Sequence, residues 1–114
     1  MEMINLYMDD ERDTPKSFDK RTYTARETIE AINVGNVEYM SLDFYLGDDD
    51  MCGCGDGMDV LTWLEGEIFS GRWKDRGLKC PYIDLHSQHP EGLEKMRHAT
   101  HRILKEAFRQ EIMY

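Results

Sequence analysis

Acidic, imidazole and hydroxyl side chains follow three short apolar segments of this 114-residue chain. In chain order they are Asp9 and Asp10 after residues 3–8, Asp43 after residues 37–42, and His86 with Ser87 after residues 82–85. Three carboxylates held close together repel one another unless a cation lies between them, and all-oxygen ligands suit a hard ion such as Mg²⁺. A magnesium ion with open positions for water is a typical place to bind and activate a phosphate. The pattern predicts a magnesium site formed by Asp9, Asp10 and Asp43; the alternative is that Asp9 and Asp10 are solvated loop residues.

Hydrophobic periodicity predicts the elements that would position these residues. Strands are predicted at residues 3–8, about residue 22, at 37–42 and at 82–86, and helices from 25 to about 34, from 58 to 69 and from 90 almost to the end. Thr24 with Glu27 fits a helix-capping box, and Gly35 fits a C-cap. Strands that alternate with helices predict an α/β fold with a doubly wound parallel sheet. Ligands of such sheets bind at the carboxyl ends of the strands, where the three carboxylates should converge.

The composition excludes several classes of function. The chain has 14 Lys and Arg against 23 Asp and Glu, a net charge of -9, which argues against a duplex nucleic-acid binder. The charge is uneven, with 17 acids and 5 bases in residues 1–71 but 6 acids and 9 bases in residues 72–114. No apolar stretch is long enough to predict a membrane span, and the first residues do not resemble a secretory signal. We therefore expect a single cytoplasmic domain over residues 1–114, without a disulfide framework for its three cysteines.

Four motifs occur in the order and spacing of a known family. They are residues 9–15 (DDERDTP), residues 41–47 (SLDFYLG), residues 57–65 (GMDVLTWLE) and residues 86–92 (HSQHPEG). Over residues 3 to about 96 the chain resembles the cyclic-phosphate-processing receiver-like proteins, small proteins frequent in phages and bacteria and related to response-regulator receivers. The resemblance implies a flavodoxin-like or receiver-like sheet of about four parallel strands in the order 2-1-3-4, flanked by helices, with a long C-terminal helix and no fifth strand.

The same resemblance implies roles for individual residues. Asp9, Asp10 and Asp43 would surround Mg²⁺ or Mn²⁺, and Asp43 would act as the nucleophile or orient a water. Ser87 would contact the phosphoryl oxygens, and His86 could donate a proton to a leaving oxygen. The implied function is magnesium-dependent hydrolysis of a small cyclic phosphate or nucleotide. The alternatives are a non-catalytic module that binds a nucleotide signal or a protein partner, as in phage counter-defence, and a signalling receiver.

The chain departs from the family pattern at Tyr45, where members have an aspartate, at His89, where they have an asparagine, and at Leu93, where many have an arginine. The lysine that follows the fifth strand of ordinary receivers is missing as well. These changes favour the binding module over phosphotransfer signalling. The positive charge of the missing lysine would have to come from the cation, from a partner, or from Arg12. The planar guanidinium of Arg12 could bind a phosphate through two N–H groups, or it could pair with a neighbouring acid.

The sequence gives less support for a functional role of the remaining histidine, cysteine, aspartate and tryptophan candidates. His89 could bind substrate, and both it and His86 could instead be buried or helix-capping residues. Cys52, Cys54 and Cys80 match zinc-site spacing poorly, and residues 48–50 (DDD) suit a solvated loop better than a ligand set. Trp73 lies among basic residues and could stack on a nucleotide base, but we expect it to cover the core. His98 and His101 are predicted on a solvated helix face.

Overall fold

The computed structural model describes residues 2–9, 16–43, 56–86 and 90–114. Their elements are, in chain order, β1 (Ile4–Met8), β2 (Lys20–Thr22), α1 (Ala25–Asn33), β3 (Val37–Leu42), α2 (Gly57–Phe69), α3 (Arg72–Asp75), β4 (Tyr82–Leu85) and α4 (Pro90–Arg109). The predicted alternation of strands and helices is confirmed, with boundaries within one or two residues of those expected. No helix in these four ranges is long and apolar enough to cross a membrane.

The four strands form one parallel sheet in the order β2-β1-β3-β4, as predicted. One row of cross-strand partners runs across the whole sheet: Arg21, Tyr7, Ser41 and Asp84. Among the described residues there is no fifth strand, and Met113 forms only an isolated parallel bridge with Cys80. The fold is thus the receiver-like α/β sheet that the motifs implied, with α4 as its long final helix.

The two faces of the sheet differ in chemistry. Side chains alternate between faces along a strand, and in the two central strands one set is buried and apolar: Leu6 and Met8 of β1 with Met40 and Leu42 of β3. This set joins a single core cluster with the buried residues of the helices, among them Ile32, Leu61 and Ile103. The alternate set contains the row from Arg21 to Asp84, and it continues past the strand ends to Asp9, Asp43 and His86. The polar face of the sheet therefore leads directly to its carboxyl edge.

Local capping explains where α1 begins and ends. The Thr24 side chain accepts a hydrogen bond from the Glu27 N–H at 3.1 Å, as expected of the N-cap. The Glu27 carboxylate accepts hydrogen bonds from the Tyr23 N–H and the Thr24 hydroxyl. The predicted capping box is therefore formed with one difference: Glu27 binds the backbone N–H of the residue before the N-cap. After the helix, Gly35 adopts φ 97°, the left-handed conformation that glycine takes most readily.

Residues 70–79 contain a helical turn, α3, where the sequence indicated a polar connection. Trp73 in this turn is 1% exposed, and its indole N–H donates to the Lys79 carbonyl at 3.0 Å. Its ring meets Trp63 of α2 edge to face, with 5.9 Å between the centroids. Trp73 therefore completes the core, as the sequence favoured, and its ring is not available to stack on a base.

Candidate metal centre

Three of the sequence-predicted site residues come directly after three strands, and the sheet itself fixes their backbones. The Asp9 N–H donates to the Thr22 carbonyl at 3.1 Å, the Asp43 N–H to the Met8 carbonyl at 3.2 Å, and the His86 N–H to the Leu42 carbonyl at 2.9 Å. Each residue thus extends the hydrogen-bond ladder by one position beyond its strand. The side chains of Asp9, Asp43 and His86 converge at the carboxyl edge because the register of the sheet puts their Cα atoms there.

The side chains of these residues form one compact group, which we call the edge cluster: Asp9, Asp43 and His86. One ligand atom from each lies within 4.8 Å of the other two. The shortest contact is 3.0 Å, between His86 Nε2 and Asp9 Oδ2. Asp9 is 1% exposed and the His86 side chain 14%, whereas Asp43 is half-buried. Two carboxylates and an imidazole in this arrangement offer oxygen and nitrogen donors that a divalent cation can bind.

The imidazole of His86 is held on two sides by residues of the polar face. Its Nδ1 lies 2.6 Å from the Ser41 hydroxyl oxygen. Its ring stacks on Tyr7, with centroids 4.4 Å apart and planes 2° from parallel. Phe18 also packs against Tyr7 in a tilted arrangement, with the ring centroids 5.0 Å apart. Since Tyr7 and Ser41 are themselves buried strand residues, the orientation of the His86 ring is set by the sheet.

Arg21 brings a positive charge to the same edge. Its Nε donates to the Asp9 main-chain carbonyl at 3.1 Å, and its guanidinium lies over the Tyr23 ring, 4.7 Å from the centroid. Arg21 is only half-buried. The contact supports the backbone of Asp9 while part of the guanidinium stays accessible to solvent.

A tyrosine–aspartate pair lies lower on the polar face. The Tyr39 hydroxyl donates to Asp84 Oδ2 at 2.8 Å. Burial, with the hydrogen bond to Asp84 and repulsion from its charge, raises the pKa of Tyr39 to about 12. Asp84 Oδ1 accepts from the Leu85 N–H at 2.9 Å. Both carboxylate oxygens of Asp84 are therefore engaged away from the edge cluster.

Helix α2 begins against the edge cluster. Asp56 is its N-cap and forms a reciprocal capping box with Asp59. Burial raises the pKa of Asp56 above its usual range, and the charge of Asp59 acts in the same direction. Gly57, the first helical residue, packs so closely on Asp43 that a Cβ added there would lie 2.1 Å from the Asp43 carbonyl oxygen. The start of the helix is thus fitted to the residue that follows β3.

The structure brings together Asp9, Asp43 and His86 of the predicted site. Asp10, Arg12, Ser87 and His89 lie outside the described residues, as do Tyr45, residues 48–50, Cys52 and Cys54. The chemical roles assigned to all of these from the sequence remain predictions.

Sequence reasoning missed four residues that build the site: Tyr7, Arg21, Ser41 and Gly57. The signal for Ser41 was present, because a small polar residue two positions before Asp43 must share its face of the strand. The same period of two connects Tyr7 to Asp9. Arg21 depends on a tertiary contact, so no local pattern pointed to it. Gly57 opens one of the four family motifs, but its fit to Asp43 exists only in the assembled fold.

The remaining cysteine and histidine candidates lie away from the edge cluster. Cys80 is buried before β4, and His86 follows six positions later along nearly extended chain, about 20 Å away at strand spacing. This separation is too long for a zinc site that joins the Cys80 thiol to the strand-end histidine, in agreement with the poor zinc-site spacing of the cysteines. Burial raises the pKa of Cys80 to about 12. On α4, His98 and His101 are exposed, as predicted, and His98 pairs with Glu94 at 3.0 Å.

Comparison with known proteins agrees with this geometry. A family model described as the cyclic-phosphate processing receiver domain matches residues 4–102. That range begins with β1 and ends inside α4, so it contains all four strands and the whole edge cluster. Searches of the curated proteins and of the solved structures return no match. The chain belongs to the cyclic-phosphate processing receiver domain family.

Proposed function

We propose that this protein hydrolyses a small cyclic phosphate or cyclic nucleotide with the help of a divalent cation bound at the edge cluster. The observation that carries the proposal is the convergence of Asp9, Asp43 and His86, with ligand atoms within 4.8 Å of one another, at the carboxyl edge of a parallel sheet. This is where α/β sheets bind their ligands. The family assignment supplies the class of substrate.

The donor set fits a divalent cation. Asp9 is almost fully buried beside the His86 ring, and a bound cation would stabilise its charge further, because desolvation penalises a buried carboxylate. Asp43, with greater exposure, lies on the solvent side of the cluster. A cation bound there would polarise a phosphoryl oxygen and neutralise charge that develops on it. Asp9 and Asp43 are the carboxylates that would hold it, with His86 beside them.

Asp43 is the residue best placed to act on substrate. Its backbone is fixed by the hydrogen bond to Met8 on one side and by the close packing of Gly57 on the other. As a water-orienting carboxylate, it accepts a proton from the water whose oxygen attacks phosphorus; the ring P–O bond breaks, and the leaving oxygen takes a proton. As a nucleophile, an Asp43 oxygen forms the new bond to phosphorus while the ring P–O bond breaks and the leaving oxygen takes a proton; water then attacks phosphorus and gives up a proton, and the P–O bond to Asp43 breaks to restore the carboxylate. Either route gives a phosphomonoester and consumes one water.

Phosphorus NMR of a panel of cyclic phosphates tests the proposal, with 2′,3′-cyclic nucleotides and ADP-ribose cyclic phosphate as members. Each substrate is incubated with the full chain in the presence of Mg²⁺ or Mn²⁺, and again in EDTA. New phosphomonoester signals are expected with a cation and not in EDTA. The Asp43→Asn variant should lose them, whereas Asp75→Asn, which changes an exposed acid on α3, should keep them.

Two results would separate the proposal from its alternatives. Unchanged resonances over the whole panel, with a cation demonstrably bound, would contradict the enzyme and favour a module that holds an intact nucleotide signal at one per site. Labelling of Asp43 by acetyl phosphate without hydrolysis of the panel would favour a signalling receiver. Where turnover occurs, trapping with hydroxylamine distinguishes the two routes, because only the nucleophilic route forms an acyl phosphate on Asp43 that hydroxylamine can convert to a hydroxamate.

A further inference from the structure

We propose that His86 is itself a ligand of the cation, through Nε2, and that this nitrogen makes the edge cluster select divalent cations of the first transition row over Mg²⁺. The inference rests on the proposed function for the existence of a cation site. It replaces the role of proton donor that the sequence suggested for His86. It also changes the expected cofactor, since three carboxylates predicted a hard, oxygen-only site.

The separation of the donor atoms matches that of neighbouring ligands. Two ligands bound about 2.1 Å from a six-coordinate cation, at right angles to each other, lie about 3.0 Å apart. His86 Nε2 and Asp9 Oδ2 are 3.0 Å apart. The third ligand atom, from Asp43, lies within 4.8 Å of both. The cluster can therefore surround a cation with small side-chain adjustments and no movement of the strands.

The second ring nitrogen of His86 is already engaged in the way that metal-binding histidines require. Such histidines donate their other N–H to a neighbouring acceptor, which fixes the tautomer and the direction of the ring. The Ser41 hydroxyl lies 2.6 Å from Nδ1 and can accept that hydrogen bond. With the proton on Nδ1, the Nε2 lone pair points at the carboxylate of Asp9. In this tautomer two lone pairs face each other at 3.0 Å, and a cation bound by both atoms would remove their repulsion.

A hydroxyl is also a donor, so Ser41 can serve both states of the site. Without a cation, Ser41 donates to Nδ1, and the Nε2–H donates to Asp9. With a cation, Ser41 accepts from Nδ1, and Nε2 binds the cation in place of its proton. The stacked Tyr7 ring keeps the imidazole plane unchanged in both states. Ser41 and Tyr7 are thus positioning residues for the ligand atom.

Selectivity follows from the donor types. Imidazole nitrogen favours transition cations, whereas Mg²⁺ prefers oxygen ligands, and divalent affinity rises from Mn²⁺ towards Cu²⁺ at a mixed site. We expect Co²⁺ to bind at least about tenfold more tightly than Mg²⁺ in isothermal titration calorimetry. His86→Asp converts the cluster to three carboxylates, and this preference should fall by about tenfold or more. His101→Gln, a change on the exposed side of α4, should leave it unaltered.

Electron spin-echo envelope modulation of bound Mn²⁺ reads the ligand directly, without any assay of activity. Nitrogen modulation is expected in the wild type and in His101→Gln, and it should be absent in His86→Gln. Circular dichroism of each variant establishes that it is folded, and the wild-type spectrum is informative even if both His86 variants fail to fold.

The possible outcomes separate this inference from the proposed function. Bound Mn²⁺ without nitrogen modulation in the wild type would overturn the role of His86 and leave the proposed hydrolysis standing. Modulation that persists in a folded His86→Gln protein would also overturn it, because another nitrogen would then be the ligand. A chain that binds neither Mn²⁺ nor Co²⁺ would contradict the inference and the proposed function together.

Discussion

Gly57 and Asp43 are in direct backbone contact: the first residue of α2 lies against the carbonyl oxygen of the residue that follows β3. A Cβ at residue 57 would lie 2.1 Å from that oxygen and 2.8 Å from the end of the Met96 side chain. Met96 could move, but the backbone of Asp43 is tied to β1 by its own N–H. The contact therefore couples the position of α2 to the position of a candidate catalytic carboxylate.

Gly57→Ala should destabilise the protein. The added methyl group must displace either the start of α2 or the Asp43 carbonyl, and overpacking of this kind costs about 2 kcal/mol or more. Urea unfolding monitored by circular dichroism measures the change. Gly66→Ala is the matched control in the same helix, since nothing lies within 4 Å of a Cβ there. That control should gain about 0.5–1 kcal/mol from helix propensity; equal effects at the two glycines would contradict the contact.

Ser41→Ala should weaken cation binding by about tenfold, because the ring of His86 loses the hydroxyl that fixes its Nδ1. It should also cost about 1 kcal/mol of stability, since a half-buried ring nitrogen loses a partner. Titration calorimetry with Mn²⁺ measures the first effect. The exposed Ser70→Ala serves as the control. A Ser41→Ala protein with wild-type affinity for Mn²⁺ would show that Ser41 does not position His86 as a ligand.

Alkaline pH should reduce stability through two groups, the buried thiol of Cys80 and the half-buried hydroxyl of Tyr39. Burial raises the pKa of Cys80 to about 12, and burial with the Asp84 hydrogen bond and charge raises that of Tyr39 to about 12. Both folded-state values lie above the usual ones, near 9 and 10, so the folded chain holds these protons more tightly. Their contribution is complete below about pH 9 and is lost as the pH rises towards 12.

Urea midpoints at pH 8 and pH 10.5 measure this loss. Cys80→Ala and Tyr39→Phe should each show a smaller drop between the two pH values than the wild type. Tyr23→Phe, a change on the protein surface, should follow the wild-type curve. Parallel curves for all four proteins would show that neither Cys80 nor Tyr39 is responsible.

Trp73→Ala should cost about 3–5 kcal/mol, the usual range for a large aromatic removed from a core. The indole is fully enclosed, meets Trp63 edge to face and donates to the Lys79 carbonyl. Phe108→Ala, by contrast, removes a ring that is 78% exposed on α4, and it should change stability by no more than about 0.5 kcal/mol. Chemical denaturation of both variants tests the contrast; a small loss at Trp73 would place that ring outside the core.

Much of the fold follows from local sequence signals. The N-cap Thr24 and the left-handed Gly35 predicted where α1 begins and ends. The apolar periodicity of β1 and β3 predicted those two strands. All of these signals act within a few residues of the chain. The convergence of Asp9, Asp43 and His86 was predictable as well, because parallel strands bring their carboxyl ends to one edge.

The finer features of the site depend on contacts that no local pattern encodes. The stacking of Tyr7 on His86 joins β1 to the residue after β4, and the fit of Gly57 to Asp43 joins a helix to a strand end. Trp73 was expected to cover the core despite its basic neighbours, and its indole is buried, but its contacts with Trp63 and the Lys79 carbonyl were not predictable from the sequence. In each case the decisive partner lies on another element, and only the assembled sheet identifies it.

The backbone hydrogen bonds of Asp9, Asp43 and His86 have a thermodynamic consequence. Asp9 and His86 are 77 residues apart in the chain, so an unfolded molecule presents no preformed set of donors. Any cation that binds the assembled edge is linked to the folding equilibrium, and at a hundred times its dissociation constant it adds about 2.7 kcal/mol to the free energy of unfolding. The melting temperature therefore rises with the concentration of the ion that the donors prefer, and thermal denaturation at several ion concentrations measures binding at the site.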